Sequence, residues 1–161
     1  MKHSLKILLT ALSLTASCMA AQANDAPLHQ EITRNGTLPT TMANAQVFTG
    51  TALVDTPFAQ GQMHGAYVTF MPGARTAWHI HPQGQLLIVT AGSGLTQEKG
   101  QPIQVIKAGD VIWCPPGVMH WHGGSYQTSM THLAISESAP GEKVTWLDKV
   151  TDEEYNALRL N

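Results

Sequence analysis

Short β-forming segments separated by glycine and proline turns are the feature that most constrains this chain. From residue 47 onward, runs rich in valine, isoleucine, threonine and aromatic residues end at turn signals about every 8 to 12 residues. The 14 glycines and nine prolines suit short strands and turns better than a helical bundle. This pattern predicts an all-β domain, either a sandwich or a barrel.

Two local patterns refine this expectation. The uninterrupted apolar run at residues 86–90 is typical of a strand buried on both faces, and the Gly-Ser-Gly sequence at residues 92–94 is expected to end that strand. Near the C-terminus, Thr151 followed three residues later by Glu154 has the form of a capping box and predicts one short helix. The apolar face of this helix would comprise Leu147, Val150, Tyr155 and Leu158.

The first 23 residues have the form of a secretory signal peptide. Two lysines precede an uncharged apolar stretch at residues 7–17, and an Ala-Gln-Ala sequence ending at Ala23 matches a cleavage site. The apolar stretch is shorter than the roughly 20 residues that a membrane span requires. We therefore expect cleavage after Ala23 and a periplasmic or secreted protein without a membrane span. A retained membrane anchor and a lipoprotein cut before Cys18 are the alternatives.

Cleavage would leave one domain without an internal disulfide, because Cys114 would be its single cysteine. Residues 24–46 are polar and mixed and are expected to form an N-terminal arm. The single folded domain, with its C-terminal helix, is expected over residues 47–161. The chain has 161 residues, a formal net charge of −2 and no run of like charges, so we expect no nucleic-acid partner.

Histidines are concentrated in the middle of the chain, where six of the eight lie within residues 64–132. Residues two apart on a strand face the same side, so the His79 and His81 imidazoles are expected to point together. The Pro-Gln-Gly turn that follows would return Gln85 with an amide oxygen, and His120 follows a rigid Pro-Pro-Gly loop. Three imidazoles and one amide oxygen suit a first-row divalent ion such as manganese, iron, nickel, cobalt, copper or zinc. The alternative is that these are unrelated surface histidines.

The candidate ligands lie within two spaced motifs. The first has the order Gly73, His79, His81, Gln85 and Gly92, and the second has the order Gly109, Pro115, Gly117 and His120. Sixteen residues, 93–108, separate them. In this order and spacing the motifs resemble those of the cupin family, over about residues 47–135. The resemblance implies a single-domain β-barrel of jelly-roll type that binds one metal ion.

Longer stretches resemble the small bacterial cupins with hydroxynitrile lyase activity. These stretches are WHIHPQGQ at residues 78–85, LIVTAG at 87–92, HWHG at 120–123, MTHLAI at 130–135 and VTDEEY at 150–155. The resemblance implies that manganese or iron is bound by His79, His81, Gln85 and His120. It also implies that His122 and His132 lie beside the metal.

The same resemblance implies that one of these two histidines, His132 by preference, takes the hydroxyl proton of a cyanohydrin. The metal or the other histidine would then assist the departure of cyanide. An imidazole is a suitable general base at neutral pH. From the sequence alone, His132 could instead be a hydrogen-bonded core residue, and His122 could orient a ligand.

Gln85 is a departure from the common cupin motif, which has glutamate there; a second departure is Gly124, where asparagine is usual. A neutral ligand leaves the site about one charge unit more positive, which favours a divalent Lewis acid over a ferric redox cycle. We therefore expect an exported metal-dependent lyase of the hydroxynitrile type that acts on a small organic molecule. A small cupin dioxygenase and a non-enzymatic metal- or ligand-binding cupin of the cell envelope are the alternatives.

Other side chains are given less specific roles. His64 has no partner in either motif and is expected at a surface or an interface. Arg75 and Thr76 could line the mouth of the site or form a solvated turn, and Cys114 is expected to be a packed residue. The tryptophan-rich strands and the apolar run at residues 86–89 predict that a second subunit covers one barrel face, giving a homodimer or homotetramer.

Overall fold

Eleven strands and one short helix follow one another along the part of the chain that the structure, a computed structural model, describes, residues 29–159. The predicted signal peptide, Cys18 and the first part of the predicted arm lie outside these residues. All regular elements fall in the unit that begins at Ile32, and residues 29–31 before it have no regular structure. The strands are β1 (Thr41–Met42), β2 (Phe48–Thr49), β3 (Ala52–Gln60), β4 (Met63–Phe70), β5 (Arg75–Ile80), β6 (Gln85–Glu98), β7 (Gln104–Lys107), β8 (Val111–Cys114), β9 (His120–Gly124), β10 (Met130–Glu137) and β11 (Thr145–Lys149).

The strands form two antiparallel sheets that share β6. The first sheet has the order β1-β3-β4-β10-β6-β8. The second has the order β7-β6-β9-β5, and both β2 and β11 pair with β5. This curled, two-layered arrangement confirms the predicted all-β barrel.

Strand β6 is one continuous strand, so the prediction that residues 92–94 end it was wrong. Gly92 has φ +70°, and a Cβ there would collide with the Ser129 carbonyl oxygen. Glycine therefore lets β6 bend from the first sheet into the second without ending. The prediction of burial on both faces was also wrong, because Leu87 and Val89 are buried whereas Leu86 and Ile88 remain partly exposed.

Two apolar cores result from this arrangement. The first includes Val68, Phe70, Val89 and Met130, whose side chains point into the barrel. The second lies on the opposite face of the second sheet and includes Trp78, Leu95, Ile103, Trp121, Val150 and Tyr155. Strands β5 and β9 contribute Trp78 and Trp121 to the second core, so the neighbouring His79, His120 and His122 point into the barrel.

The short helix α1 (Asp152–Asn156) and a 3-10 turn (Ala157–Arg159) follow the last strand. The predicted capping box is confirmed, because Thr151 Oγ1 accepts a hydrogen bond from the Glu154 N–H and Glu154 Oε2 accepts one from the Thr151 N–H. Of the predicted apolar face, Val150 and Tyr155 are buried, whereas Leu158 and Leu147, which lies in β11, are exposed.

Buried Arg75 joins the C-terminal segment to the second sheet. Its guanidinium donates hydrogen bonds to the Val150 carbonyl oxygen at 2.9 and 3.1 Å and to the Asp152 carboxylate at 2.6 Å. Arg75 therefore has a structural role, which differs from both roles expected for it. No helix within residues 29–159 has the length and apolar character needed to cross a bilayer.

Candidate functional site

The turn between β5 and β6 places the first group of polar side chains. His79 lies near the end of β5, His81 follows that strand, and Gln85 begins β6. Gly84 between them has φ +80°, and a Cβ there would lie 2.6 Å from the Trp113 ring and 2.8 Å from the Cys114 carbonyl oxygen. Only glycine fits this close approach without a shift of its neighbours, and it thereby sets the position at which Gln85 enters the barrel.

His79 and His120 are cross-strand partners on β5 and β9, with ring centroids 4.2 Å apart. The Nδ1–H of His79 donates to the Ala77 carbonyl oxygen at 3.0 Å, and that of His120 donates to the Val118 carbonyl oxygen at 3.0 Å. These bonds favour the tautomer whose Nε2 carries a lone pair. Both Nε2 atoms are therefore available to a cation.

Gln85 contacts this pair through its side-chain oxygen. Its Oε1 lies 3.1 Å from His120 Nε2. In the tautomer favoured by the Val118 bond, both atoms are acceptors, and two acceptors this close are stable only when a proton or a cation lies between them. His81 completes the group, since its ring centroid is 5.3 Å from that of His79 and 5.9 Å from that of His120.

Burial keeps these imidazoles neutral. Burial, followed by repulsion from His120, lowers the pKa of His79 to about 3 and that of His81 to about 4. Burial also lowers the pKa of His120. Neutral imidazoles are the form that binds metal. The tautomers, the facing acceptors and the neutral state together fit a divalent metal ion.

A second histidine pair lies beside the first. The His132 Nε2 and His122 Nδ1 atoms are 2.9 Å apart, and both rings are almost completely buried. Burial is the main reason that the pKa of His122 lies well below its ordinary value and that of His132 falls to about 4. His122 Nε2 has no hydrogen-bond partner among the described residues. In the tautomer whose Nδ1–H donates to His132 Nε2, this atom carries a lone pair that can bind a metal or a substrate proton.

The available nitrogen atoms form a compact group. The ligand atoms of His79, His120 and His122 lie within 4.8 Å of one another. This group shares His79 and His120 with the predicted four-residue set and adds His122, which was predicted to be catalytic. Three buried histidines could thus hold a metal ion, and the predicted set of His79, His81, Gln85 and His120 stays a prediction.

A cavity of about 360 Å³ opens onto these residues. Its lining includes His79, His81, Gln85 and His122 at one end. Much of the remaining wall is apolar, comprising Phe48, Val54, Ala66, Val68, Ala134 and Trp146. No Asp, Glu, Lys or Arg is found among the described residues that line it. The cavity therefore suits an uncharged organic molecule.

His132 lies behind His122 and does not line the cavity. Of the two histidines only His122 lines the cavity, and which of them takes the substrate proton directly stays a prediction. The strand pattern could not reveal this, because both histidines point into the barrel and differ only in depth. His122 contacts both His132 and His79, and the expectation that His122 and His132 lie beside a metal stays a prediction.

Sequence reasoning missed several residues of the cavity wall. His64 is exposed, as expected, and it also lines the cavity together with Ser136 and Trp146, which was not expected. Thr76, for which lining the mouth of the site was one of the two expected roles, does line the cavity, and its Oγ1 accepts a hydrogen bond from the His122 N–H at 3.2 Å. These residues come from β4, β10, β11 and β5, and no local spacing links them. Cys114 is buried, and burial raises the pKa of its thiol to about 11, in keeping with a packed residue.

Comparisons with known proteins agree with this architecture. The cupin domain model matches residues 66–136. The chain is 50% identical over 128 residues to an (R)-mandelonitrile lyase from Granulicella tundricola, a match covering 78% of this chain and 98% of that protein. A solved cupin-like protein from Thermotoga maritima is 38% identical, with a TM-score of 0.70, over 80% of this chain and 96% of its own.

A polyketide cyclase from Streptomyces resistomycificus has the same fold, with a TM-score of 0.65 at 12% identity over 81% of this chain and 94% of its own. At that identity the likeness concerns the fold alone. The paired motifs, the curled two-sheet barrel and the similarity to the mandelonitrile lyase over nearly its full length lead to one assignment. The chain belongs to the cupin family.

Proposed function

We propose that this cupin is an exported, metal-dependent carbon–carbon lyase that cleaves or forms cyanohydrins. The observation that carries the proposal is that neutral imidazoles, an amide and the His122–His132 pair lie together at one cavity. The described lining of that cavity has no charged residue. Cyanohydrins and aldehydes are themselves uncharged, so they can enter such a cavity without an unpaired charge. The 50% identity to an (R)-mandelonitrile lyase supports the same reaction class.

We assign His79, His81, Gln85 and His120 as the metal ligands, with manganese or iron as the preferred ion. The backbone hydrogen bonds that orient His79 and His120 support this set, as does the Gln85 oxygen that faces His120 Nε2. His122 Nε2 is the competing donor, and the contact between His122 Nδ1 and His132 Nε2 favours a role for this pair in proton transfer. A divalent ion held there supplies Lewis acidity that stabilises negative charge developing on the substrate oxygen.

The histidine pair moves the proton. In the cleavage direction, His122 Nε2 takes the hydroxyl proton, the carbon–oxygen bond becomes a carbonyl, and cyanide leaves with the electron pair of the broken carbon–carbon bond. The proposal requires the tautomer in which the His122 Nδ1–H donates to His132 Nε2, 2.9 Å away, because that tautomer keeps the lone pair on His122 Nε2. The proton then passes from His122 to cyanide, so the products are an aldehyde and hydrogen cyanide.

The test is turnover of mandelonitrile by metal-loaded protein, followed as benzaldehyde and cyanide. Loss of a positioned base costs roughly 100- to 10,000-fold, so we expect kcat of His122→Ala to fall within that range. His132→Ala should lower kcat more than it raises KM, since His132 acts through His122. His29→Ala, at an exposed position, is the matched control and should keep wild-type kinetics. Turnover no faster than that of metal-free protein would exclude the proposal.

We also propose a homodimer or a homotetramer. The outer face of the first sheet has two cross-strand apolar rows, Trp113–Leu86–Ile135 and Val111–Ile88–Leu133–Tyr67. Val111 and Trp113 are 62% and 56% exposed, which is unusual for large apolar side chains in adjacent rows. A second copy packed on this face would cover both rows. Light scattering should show an oligomer that Trp113→Glu converts to a monomer; a wild-type monomer would contradict this.

The export proposal depends on the N-terminal sequence. Its lysines, apolar stretch and Ala-Gln-Ala site support removal of residues 1–23. Expression of the full chain, cell fractionation and intact-mass analysis should give mature protein beginning at Asn24 in the periplasm or medium. Unprocessed protein in the cytoplasm would contradict export, and a mass that includes a lipid on Cys18 would support the lipoprotein alternative.

A further inference from the structure

Three polar side chains at the far wall of the cavity have no hydrogen-bond partner within the described chain; Thr56 and His64 are exposed to solvent and Ser136 is half-buried, so this wall is the solvent-facing end of the cavity. Thr56, His64 and Ser136 line the same cavity as the proposed metal ligands. Within the described chain, none of these three side chains forms a hydrogen bond, whereas the proposed ligands His79 and His120 are fixed by backbone carbonyls. Polar side chains at the open end of an otherwise apolar cavity, bound to water and to no other protein group, can exchange that water for a ligand.

Strand register sets the distance between these groups and the proposed metal ligands. Ser136 on β10 pairs with His64 on β4 and with Gln85 on β6, so the three residues form one row across the first sheet. Neighbouring strands are about 4.8 Å apart, which puts the backbones of His64 and Gln85 about 10 Å apart. An aromatic ring with a reacting carbon at one end and a polar substituent at the other can bridge this span.

The next row leaves room for such a ring. Ala66 on β4 and Ala134 on β10 are paired, and both line the cavity with small side chains. Phe48 and Trp146, whose ring centroids are 6.1 Å apart, supply aromatic walls. Small side chains beside aromatic ones favour a flat aryl group between the two polar ends.

The chemistry of the far wall selects the substituent. An imidazole and two hydroxyls can each donate or accept a hydrogen bond, and the described cavity lining has no Lys or Arg to pair with a carboxylate. We propose that Thr56, His64 and Ser136 form a hydrogen-bonding subsite for a phenolic hydroxyl at the end of the substrate remote from the reacting carbon. This inference rests on the proposed lyase function and names its substrate class, hydroxyaryl cyanohydrins and aldehydes.

The kinetic test compares 4-hydroxymandelonitrile with mandelonitrile on metal-loaded wild-type protein, His64→Leu and Ser136→Ala. Wild type should prefer the hydroxylated substrate in kcat/KM, and His64→Leu should reduce that preference by about tenfold, the effect of one hydrogen bond. Ser136→Ala should reduce it by a smaller factor. His29→Leu carries the same substitution at an exposed position and should keep the wild-type preference. If the ratio of kcat/KM for the two substrates is the same in both cavity variants as in wild type, the proposed subsite is wrong.

A binding measurement separates this inference from the lyase reaction. Isothermal titration of metal-free protein with 4-hydroxybenzyl alcohol and benzyl alcohol should show tighter binding of the hydroxylated compound, and His64→Leu should abolish the difference. If this preference is found without turnover of any cyanohydrin, the subsite is supported and the lyase proposal fails. If wild type binds both alcohols equally, the subsite is wrong whatever the lyase assay shows.

Discussion

The buried histidine cluster should make the metal-free protein sensitive to acid well above the range in which carboxylates titrate. Burial lowers the pKa of His79 to about 3 and the pKa values of His81 and His132 to about 4. An unfolded imidazole has a pKa of about 6.5. Between these values the unfolded chain binds more protons than the native one, so stability is present above pH 6.5 and is lost as pH falls toward 4.

The magnitude follows from proton linkage. At pH 5 the three native rings remain neutral, whereas the same rings in the unfolded chain are almost fully protonated. Each ring therefore lowers the free energy of unfolding by about 2 kcal/mol relative to pH 7. The three together should therefore lower the free energy of unfolding by about 6 kcal/mol, a large part of the 5–15 kcal/mol typical of a folded domain.

Urea unfolding of chelator-treated protein at pH 7 and pH 5, followed by tryptophan fluorescence, measures this loss. His29→Gln, at an exposed position, is the matched control and should show the wild-type difference between the two pH values. His132→Asn should show a difference smaller by about 2 kcal/mol. A wild-type loss below about 2 kcal/mol would refute the reasoning, because it would mean that these rings bind protons readily in the folded state.

Three further outcomes test the fold and its side chains. Thr151→Ala removes the N-cap of α1 and should lower the free energy of urea unfolding by about 1 kcal/mol, and an unchanged midpoint would speak against the cap. Gly84→Ala forces a Cβ toward the Trp113 ring at φ +80° and should weaken Mn²⁺ binding in calorimetry, whereas wild-type affinity would show that Gln85 is not positioned by this turn. Buried Cys114 should resist iodoacetamide at pH 8, and rapid labelling of folded protein would contradict its raised pKa.

The sequence carried most of the information about the candidate ligands, because their arrangement is largely local. His79 and His81 lie two residues apart, and the turn that returns Gln85 is marked by glycine. Strand periodicity therefore places these side chains on one side, and the second motif adds His120 through a similarly rigid loop. The burial that keeps the imidazoles neutral could not be predicted, since it depends on how the two sheets close around them.

Non-local pairing explains what sequence reasoning missed. His64 stands in no motif, and it reaches the cavity because its position on β4 is aligned with Ser136 on β10. The relative depth of His122 and His132 depends on the packing of β9 against β10. The bend at Gly92 also depends on distant chain, since the obstacle to a side chain there is the backbone of Ser129. A glycine in the sequence does not by itself show whether a strand bends there or ends there.

The shared strand β6 has a consequence for how this protein reaches its native state. It pairs with β7, β8, β9 and β10, all of which follow it in the chain. A topology dominated by such distant contacts has a high contact order, so loop-closure entropy must be lost early and folding is expected on the millisecond-to-second scale. Because the candidate ligands lie on or directly after β5, β6 and β9, high-affinity metal uptake should lag behind chain collapse and report the moment at which the barrel closes.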